Sequence, residues 1–306
     1  MKLLQLSPLW NCHRQWCGIL LNGSDQSLAL LNTKLSNPTH AQTMLFFVRE
    51  EQHRPEYVCE ALDLARLHCD VGDVEQILAL DPNALAIGNW YTAPSSQQSA
   101  PPKSELLELI AQVAADADVQ VIEQIFARAP DLTFRLLKLV NSVGLGSRVE
   151  ISSIRHAITI LGRNQLQRWV QLLIYAEQFG KSGGIDPLLL AALLRAKRLE
   201  AWAKNGWINA SPDSAFLTGM LSLLDRLFHQ PLADLLQRLS LNEKLASALL
   251  YRVGDLGLAL NQLEIMEASD QPQLWPISPS HADLTWIESE LAVFEWAGSL
   301  AASLSK

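Results

Sequence analysis

The sequence predicts an α+β chain that is mainly α: a small α/β domain over residues 1–94, a linker over 95–103, and an all-helical domain over 104–306. Two observations carry this. The stretch Thr92-Ala-Pro-Ser-Ser-Gln-Gln-Ser-Ala-Pro-Pro-Lys103 is rich in Pro, Ser and Gln and has no apolar period, so neither helix nor strand continues through it. On its two sides the hydrophobic period differs, mixed before and helical throughout after. With 306 residues, 49% hydrophobic and only 18% charged, the chain can bury a sizeable core and does not have the composition of a disordered one.

Before the linker, the apolar runs Cys17–Leu21, Ser27–Leu31 and Thr43–Val48 are bounded by Gly, Asn and Pro and read as buried strands. Pro55 to Leu67 and Asp73 to Leu80 carry helical spacing. After the linker, Leu106, Leu107, Ile110, Val113 and Ala114 form one helical stripe. Asp118 is placed to cap a second helix. Pro130 suits the first turn of a third, which aligns Leu132, Leu136, Leu139, Val140 and Val143. Ser152 or Ser153 caps the next, with Ile154, Ala157, Ile158 and Leu161 on one face and Gly162 at its end. Leu166, Trp169, Val170 and Leu173 share a face of the helix that follows. Segments 188–203 and 215–228 are apolar almost all round and so belong at the centre of the bundle. Further helices are expected over Pro231–Arg238, Asn242–Tyr251, Asp255–Glu267 and Leu284–Leu304.

Arg135 to Trp169 reads RLLKLVNSVGLGSRVEISSIRHAITILGRNQLQRW. It resembles the signature of the HDOD domain family: a "LLKLVNS" helix, then R-x-x-I-S-S-I-x-x-A-I-x-x-L-G, then a helix opening with Leu and Arg-Trp. Asn141, Ser142, Ser153, Gly162 and Trp169 are its structural positions here. Downstream, 215–225, 231–236 and 248–250 resemble the family branch in which HDOD follows an EAL-type domain. That branch implies an EAL domain upstream. Ile87-Gly-Asn-Trp-Tyr-Thr-Ala-Pro94 resembles the "Q-G-Y-F-F-S-K-P" ending of such domains, and 16–21 falls where they carry "G-Y-E-L-L". The front segment is then a short, degenerate EAL remnant.

The chemistry implied by these families is missing from the residues. Metal-dependent hydrolysis needs several His and Asp ligands converging on a cation. The chain has no His-Asp dipeptide; where a metal-binding relative carries "GLLHD" it has Gly219-Met-Leu-Ser-Leu-Leu-Asp225, and Arg195, Lys197 and Arg198 on the helix before would repel a metal. At the place of the EAL glutamate stands Ile19. Glu60-Ala61-Leu62 lies in a helical pattern with Leu64 where the motif's Arg would be, and reads as a solvated helix Glu beside core leucines. Cys12, His13, Cys17, Cys59, His68 and Cys69 match no zinc spacing. Gly144 and Gly146 lack the strand and the Gly-Lys-Ser/Thr of a phosphate loop and read as a helix end. No catalytic residue, metal ligand or cofactor is expected.

From 135 to 168 six cations, Arg135, Lys138, Arg148, Arg155, Arg163 and Arg168, face one acid, Glu150; beyond Arg252 the tail is acidic. The two neutralise each other within the fold, or the basic face docks an acidic protein, a phosphorylated receiver or a nucleotide messenger. Arg148, Arg155, His156, Arg163 and Arg168 are the candidate partner contacts. The net charge of −8 argues against nucleic acid. No run of about 18 apolar residues suggests a membrane span, and no export signal is visible, so a cytoplasmic protein is expected. The resemblance implies a non-catalytic bacterial signalling adaptor whose partners are a sensor kinase, a receiver or a cyclic di-GMP enzyme. The alternative is a degenerate nucleotide-handling protein that binds cyclic di-GMP or retains metal-dependent phosphohydrolysis. A homodimer paired through the edge of strand Thr43–Val48 is a third reading.

Overall fold

The computed structural model describes residues 4–35, 45–49, 59–69, 71–93, 104–115, 117–130, 132, 133, 136, 137, 140, 153–162, 166, 168–173, 185–239, 241–268 and 283–304. It is an α+β fold, mainly α, with a small curled sheet.

The sheet has the order β4-β3-β2-β1-β6-β5. Strands β1 (Gln5–Trp10) and β2 (Trp16–Asn22) form an antiparallel hairpin. Asn11 turns it, its Oδ1 accepting from the amides of His13 and Gln15. β3 (Phe46–Arg49) runs parallel to β2, and β4 (Cys59–Leu62) parallel to β3. β5 (Leu67–His68) and β6 (Leu85–Ala86) pair in parallel at the other edge. Alternation sorts the side chains as a pleated strand requires: Ile19 and Leu21 face the helices, whereas Leu20 joins Leu9, Phe47, Leu62, Leu67, Leu85 and Ile87 on the opposite face.

Two front segments differ from the sequence expectation. Ser27–Leu31 lies inside helix α1 (Asp25–Leu35) and is not a strand. Ser24 Oγ accepts from the Ser27 amide at the helix start, and Leu28 and Leu31, three residues apart, are the buried pair. Pro55–Leu67 is not one helix: Cys59–Leu62 takes up a parallel register against β3, so pairing overrides local propensity there, and only Leu64–Arg66 forms a short 3-10 helix. Glu60 is therefore a strand residue. β3 lies between β2 and β4, so the edge-pairing dimer has no edge at Phe46–Val48. Helix α2 (Val74–Leu78) follows as expected, with Asp73 accepting from the Gln76 amide.

Helices α3 (Ser104–Ala114), α4 (Val119–Arg128) and α5 (Ile154–Leu161) follow. Leu106 is buried in α3 and Leu107 packs against the core, as expected, and Leu109 is buried beside them; the burial of Ile110, Val113 and Ala114 lies outside the described residues. Asp118 caps α4 as expected. Between α4 and α5 the helical residues Leu132, Leu136 and Val140 are buried at a spacing of four. Leu139 and Val143 lie outside the described residues.

α6 (Pro187–Lys204) is the central helix. Asp186 caps it, accepting from Leu188 and Leu189, and Pro187 opens it. It crosses α7 (Pro212–Leu221) very closely: a Cβ on Gly219 would sit 2.3 Å from the backbone of Ala196. Only glycine fits that crossing. α8 (Leu224–Phe228), α9 (Leu232–Arg238), α10 (Glu243–Tyr251), α11 (Gly254–Ala268) and α12 (Asp283–Leu304) complete the chain. The expected single helix over 215–228 is broken at Ser222, whose hydroxyl donates back to Gly219 O at 2.7 Å.

One hydrophobic core runs from Leu4 and Ile19 of the sheet through α1 and α6 to Leu300 of α12. Polar contacts reinforce the seam: Trp286 Nε1 donates to Leu4 O, and Gln5 Nε2 to Met266 O, both at 2.6 Å. Sheet and bundle are thus packed as one body.

Candidate functional site

α6 carries two arginines one turn apart, Arg195 and Arg198, each only 4% exposed. Burying a guanidinium is costly unless its donors are filled. Arg195 Nε donates to Glu267 at 2.9 and 3.0 Å, its Nη2 to the same carboxylate at 2.6 Å, and its Nη1 to Ser222 Oγ at 3.1 Å. Arg198 Nη2 donates to Glu290 at 2.8 Å and to Leu6 O at 2.8 Å. Arg198 therefore ties α6, α12 and β1 together at one point. Burial opposes the charge of Arg195, but Glu267 and then Glu264 overcome it and raise its pKa. The nearby phenol of Tyr91 is pushed up by burial, then by Glu267.

This geometry tests the metal site that hydrolase relatives imply. Counted along the resemblance to "GLLHD" from Gly219, the His and Asp places are Ser222 and Leu223. The first accepts from a guanidinium and the second is a core leucine, 3% exposed. A cation would meet the positive Arg195 there. Among the described residues no group of three or more His, Cys, Asp or Glu is arranged to hold a metal. The described residues at this place do not fit a metal. On the sheet, Ile19 is fully buried against the helical layer.

The candidate partner residues separate. Asn141, Ser142, Arg148 and Arg163 lie outside the described residues. Ser153 is the cap of α5, its Oγ accepting from the His156 amide at 3.0 Å. Gly162, with φ +76, ends α5 in the left-handed region. Trp169 is a core residue. Arg155 stands in solvent, 80% exposed, and makes a two-pronged pair with Glu123 at 2.9 and 3.0 Å. That hydrogen bond lowers the pKa of Glu123. His156, beside it, is half-buried.

Arg168 is different, only 17% exposed. It bridges Glu200 at 2.9 Å and Asp213 at 2.8 Å and stacks over Phe216. Lys197 and Lys204 also hold Glu200, at 2.7 and 2.6 Å. Burial would raise the Glu200 pKa, but the bonds from the two lysines overcome it and hold it low. The two arginines described in the basic stretch, Arg155 and Arg168, pair with Glu123, Glu200 and Asp213, and not with the acidic tail as expected. The acidic tail serves Arg195, Arg198, Arg252 and Lys34 instead.

What sequence reading missed is the junction. Its signal was the charged triplet Arg195, Lys197 and Arg198 inside an otherwise apolar helix, seen only as repulsion toward a metal. It also missed an open groove of about 850 Å³ between α7, α10 and the start of α11.

Residues 101–232 match the HDOD domain family, and the chain contains an HDOD domain there. Two curated proteins are similar to part of this chain. YuxH of Bacillus subtilis, whose name carries no activity, is 26% identical over 184 residues, 60% of this chain and 45% of its own length. The cyclic di-GMP phosphodiesterase CdgJ of Vibrio cholerae is 31% identical over 155 residues, 51% of this chain and 35% of its own. The chain thus spans less than half the length of these relatives. A solved structure from Shewanella amazonensis, named as a candidate phosphohydrolase, has a TM-score of 0.43 at 18% identity, covering 66% of this chain and 94% of that one. Among the described residues, no helix is long and apolar enough to cross a membrane.

Proposed function

We propose that this chain is a non-catalytic bacterial signal-transduction adaptor, working in the cytoplasm through protein–protein contact. The observation that carries the reading is Arg195: its guanidinium donates to Ser222, at the place where a metal-binding relative would keep its His. A rigid bundle without that chemistry retains the ability to present a surface. The front unit is read as a short, degenerate EAL-type domain over 1–94, joined by 95–103 to an HDOD-like module over 104–306. In support, the place of the catalytic glutamate is Ile19, in the shared core.

The contact residues on this reading are Arg148, Arg155, His156, Arg163 and Arg168. Arg155 is the most exposed described member. The partner classes are a sensor kinase, a receiver or a cyclic di-GMP enzyme. Affinity capture from the chain's own host tests this, comparing the wild type with Arg155→Ala combined with Arg148→Ala and Arg163→Ala. Recovery of one such signalling protein, lost in the triple variant, supports the reading. A signalling prey retained in full by the triple variant removes that assignment.

A second reading, binding of cyclic di-GMP without cleavage, draws on the name of CdgJ. Calorimetry of the purified chain with cyclic di-GMP distinguishes it: saturable heat at one nucleotide per chain would promote it above the adaptor.

A further inference from the structure

Where the sheet meets the bundle, β1, the segment after β6, α6 and the end of α11 enclose a crevice of about 30 Å³. That is room for about two water-sized groups. Its apolar wall is Leu6, Ile87 and Met266, all buried. Ser7, Gly88 and Ala268 line it while keeping contact with water, so it opens at the surface.

Two donors on its lining are left to fill. Arg198 is 4% exposed; its Nε and Nη2 are taken by Glu290 and Leu6 O, and its Nη1 meets no acceptor among the described residues. Tyr91 has its ring fixed against Trp10 and Trp90, and its hydroxyl makes no hydrogen bond among the described residues. Burial, then the charge of Glu267, keeps that phenol protonated and so a donor. Glu267, the acid on the lining, is already engaged, because both of its oxygens accept from Arg195.

A buried cation and a phenol with donors to spare, beside an apolar wall, call for a group that only accepts and carries negative charge. The geometry points to a carboxylate site for a short monocarboxylate, of the size of formate or acetate, with one oxygen accepting from Arg198 Nη1 and the other from the Tyr91 hydroxyl. Two oxygens match two donors, whereas a phosphate needs more room and more donors than the crevice supplies. The apolar wall strengthens both bonds by lowering the local dielectric. Since β1, α6 and α11 all line the site, a bound carboxylate also tightens the seam between sheet and bundle.

Saturation-transfer NMR on the full chain tests this, with acetate titrated in while chloride keeps the ionic strength constant. The expected result is a saturable signal at the acetate methyl, which formate displaces and acetamide, the uncharged isostere, does not. Tyr91→Phe keeps the ring and removes one donor. It weakens acetate on the order of ten-fold, the scale of a hydrogen bond to a charged group, and leaves the melt of the acetate-free protein unchanged. Absence of a saturable signal overturns the inference. So does a signal that acetamide displaces as well as formate, and so does saturation that a folded Tyr91→Phe leaves as it was. Should that variant fail to fold, the wild-type competition decides alone.

Discussion

Arg198 and Arg252 are both held by carboxylates, yet in different surroundings. Arg198 is buried at the seam, where Glu290 and Leu6 O fill its Nε and Nη2 donors and α6, α12 and β1 meet. Arg252 lies at the rim, partly solvated, and pairs with Glu264 at 2.6 Å. Glu264 also lies 3.5 Å from Arg195, so one carboxylate touches both regions. The difference teaches that an ion pair's role is set by what surrounds it. In the seam it joins three elements through buried Nε and Nη2 donors, and at the rim it ties the end of α10 to α11 in partial contact with water.

The largest effect is expected from breaking the seam. Arg198→Met leaves Glu290, 0% exposed, charged and without its partner. Urea denaturation should show a loss of about 3–5 kcal/mol, with most of it recovered by adding Glu290→Leu. Retention of stability in the single variant would mean that sheet and bundle are not joined there. Next comes Glu264→Gln, which weakens both Arg195 and Arg252. A loss of about 1–2 kcal/mol is expected by the same measurement, and a far larger loss would show that the rim is as dry as the seam.

The cap of α6 gives a pH test. Burial pushes the Asp186 carboxyl up to about 6, opposed by the amides of Leu188 and Leu189 and by Arg14. A raised carboxyl binds its proton more tightly folded than unfolded. Its stabilising share is therefore complete below the ordinary carboxylate range near pH 4 and is lost as pH rises to about 6. Since the residue retains some exposure, about 1 kcal/mol is the expected size. Asp186→Asn keeps a capping oxygen and should remove this part of the wild-type pH slope; parallel curves for the two proteins would contradict the shift.

The smallest effect belongs to Arg155. Its pair with Glu123 is solvated, so Arg155→Ala should leave the unfolding midpoint unchanged. Any loss of partner capture in a variant carrying it would then report contact and not folding. A shifted midpoint would place Arg155 among the structural arginines beside Arg168.

Much of this was legible in the sequence because it is local. Asp118 announced its helix by capping chemistry, and Leu132, Leu136 and Val140 theirs by spacing. Gly162 marked a helix end through its backbone freedom. What failed depended on partners distant in sequence. Cys59–Leu62 is a strand because β3 pairs with it. Arg198 is buried because Glu290, ninety-two residues on, is there to receive it. The groove exists only once α7, α10 and α11 are packed, and no single stretch encodes it.

On the proposed reading, the HDOD domain over 101–232 holds the Arg195 guanidinium where a metal-binding relative keeps a ligand, and hydrolyses no phosphoester. The most direct measurement is a hydrolysis assay of the purified full chain on cyclic di-GMP and a generic phosphodiester, with magnesium and manganese supplied in excess. No turnover above a protein-free control, in wild type and Arg195→Ala alike, is the predicted result. Metal-dependent turnover in the wild type that Arg195→Ala abolishes would contradict it, because Arg195 would then belong to a working site.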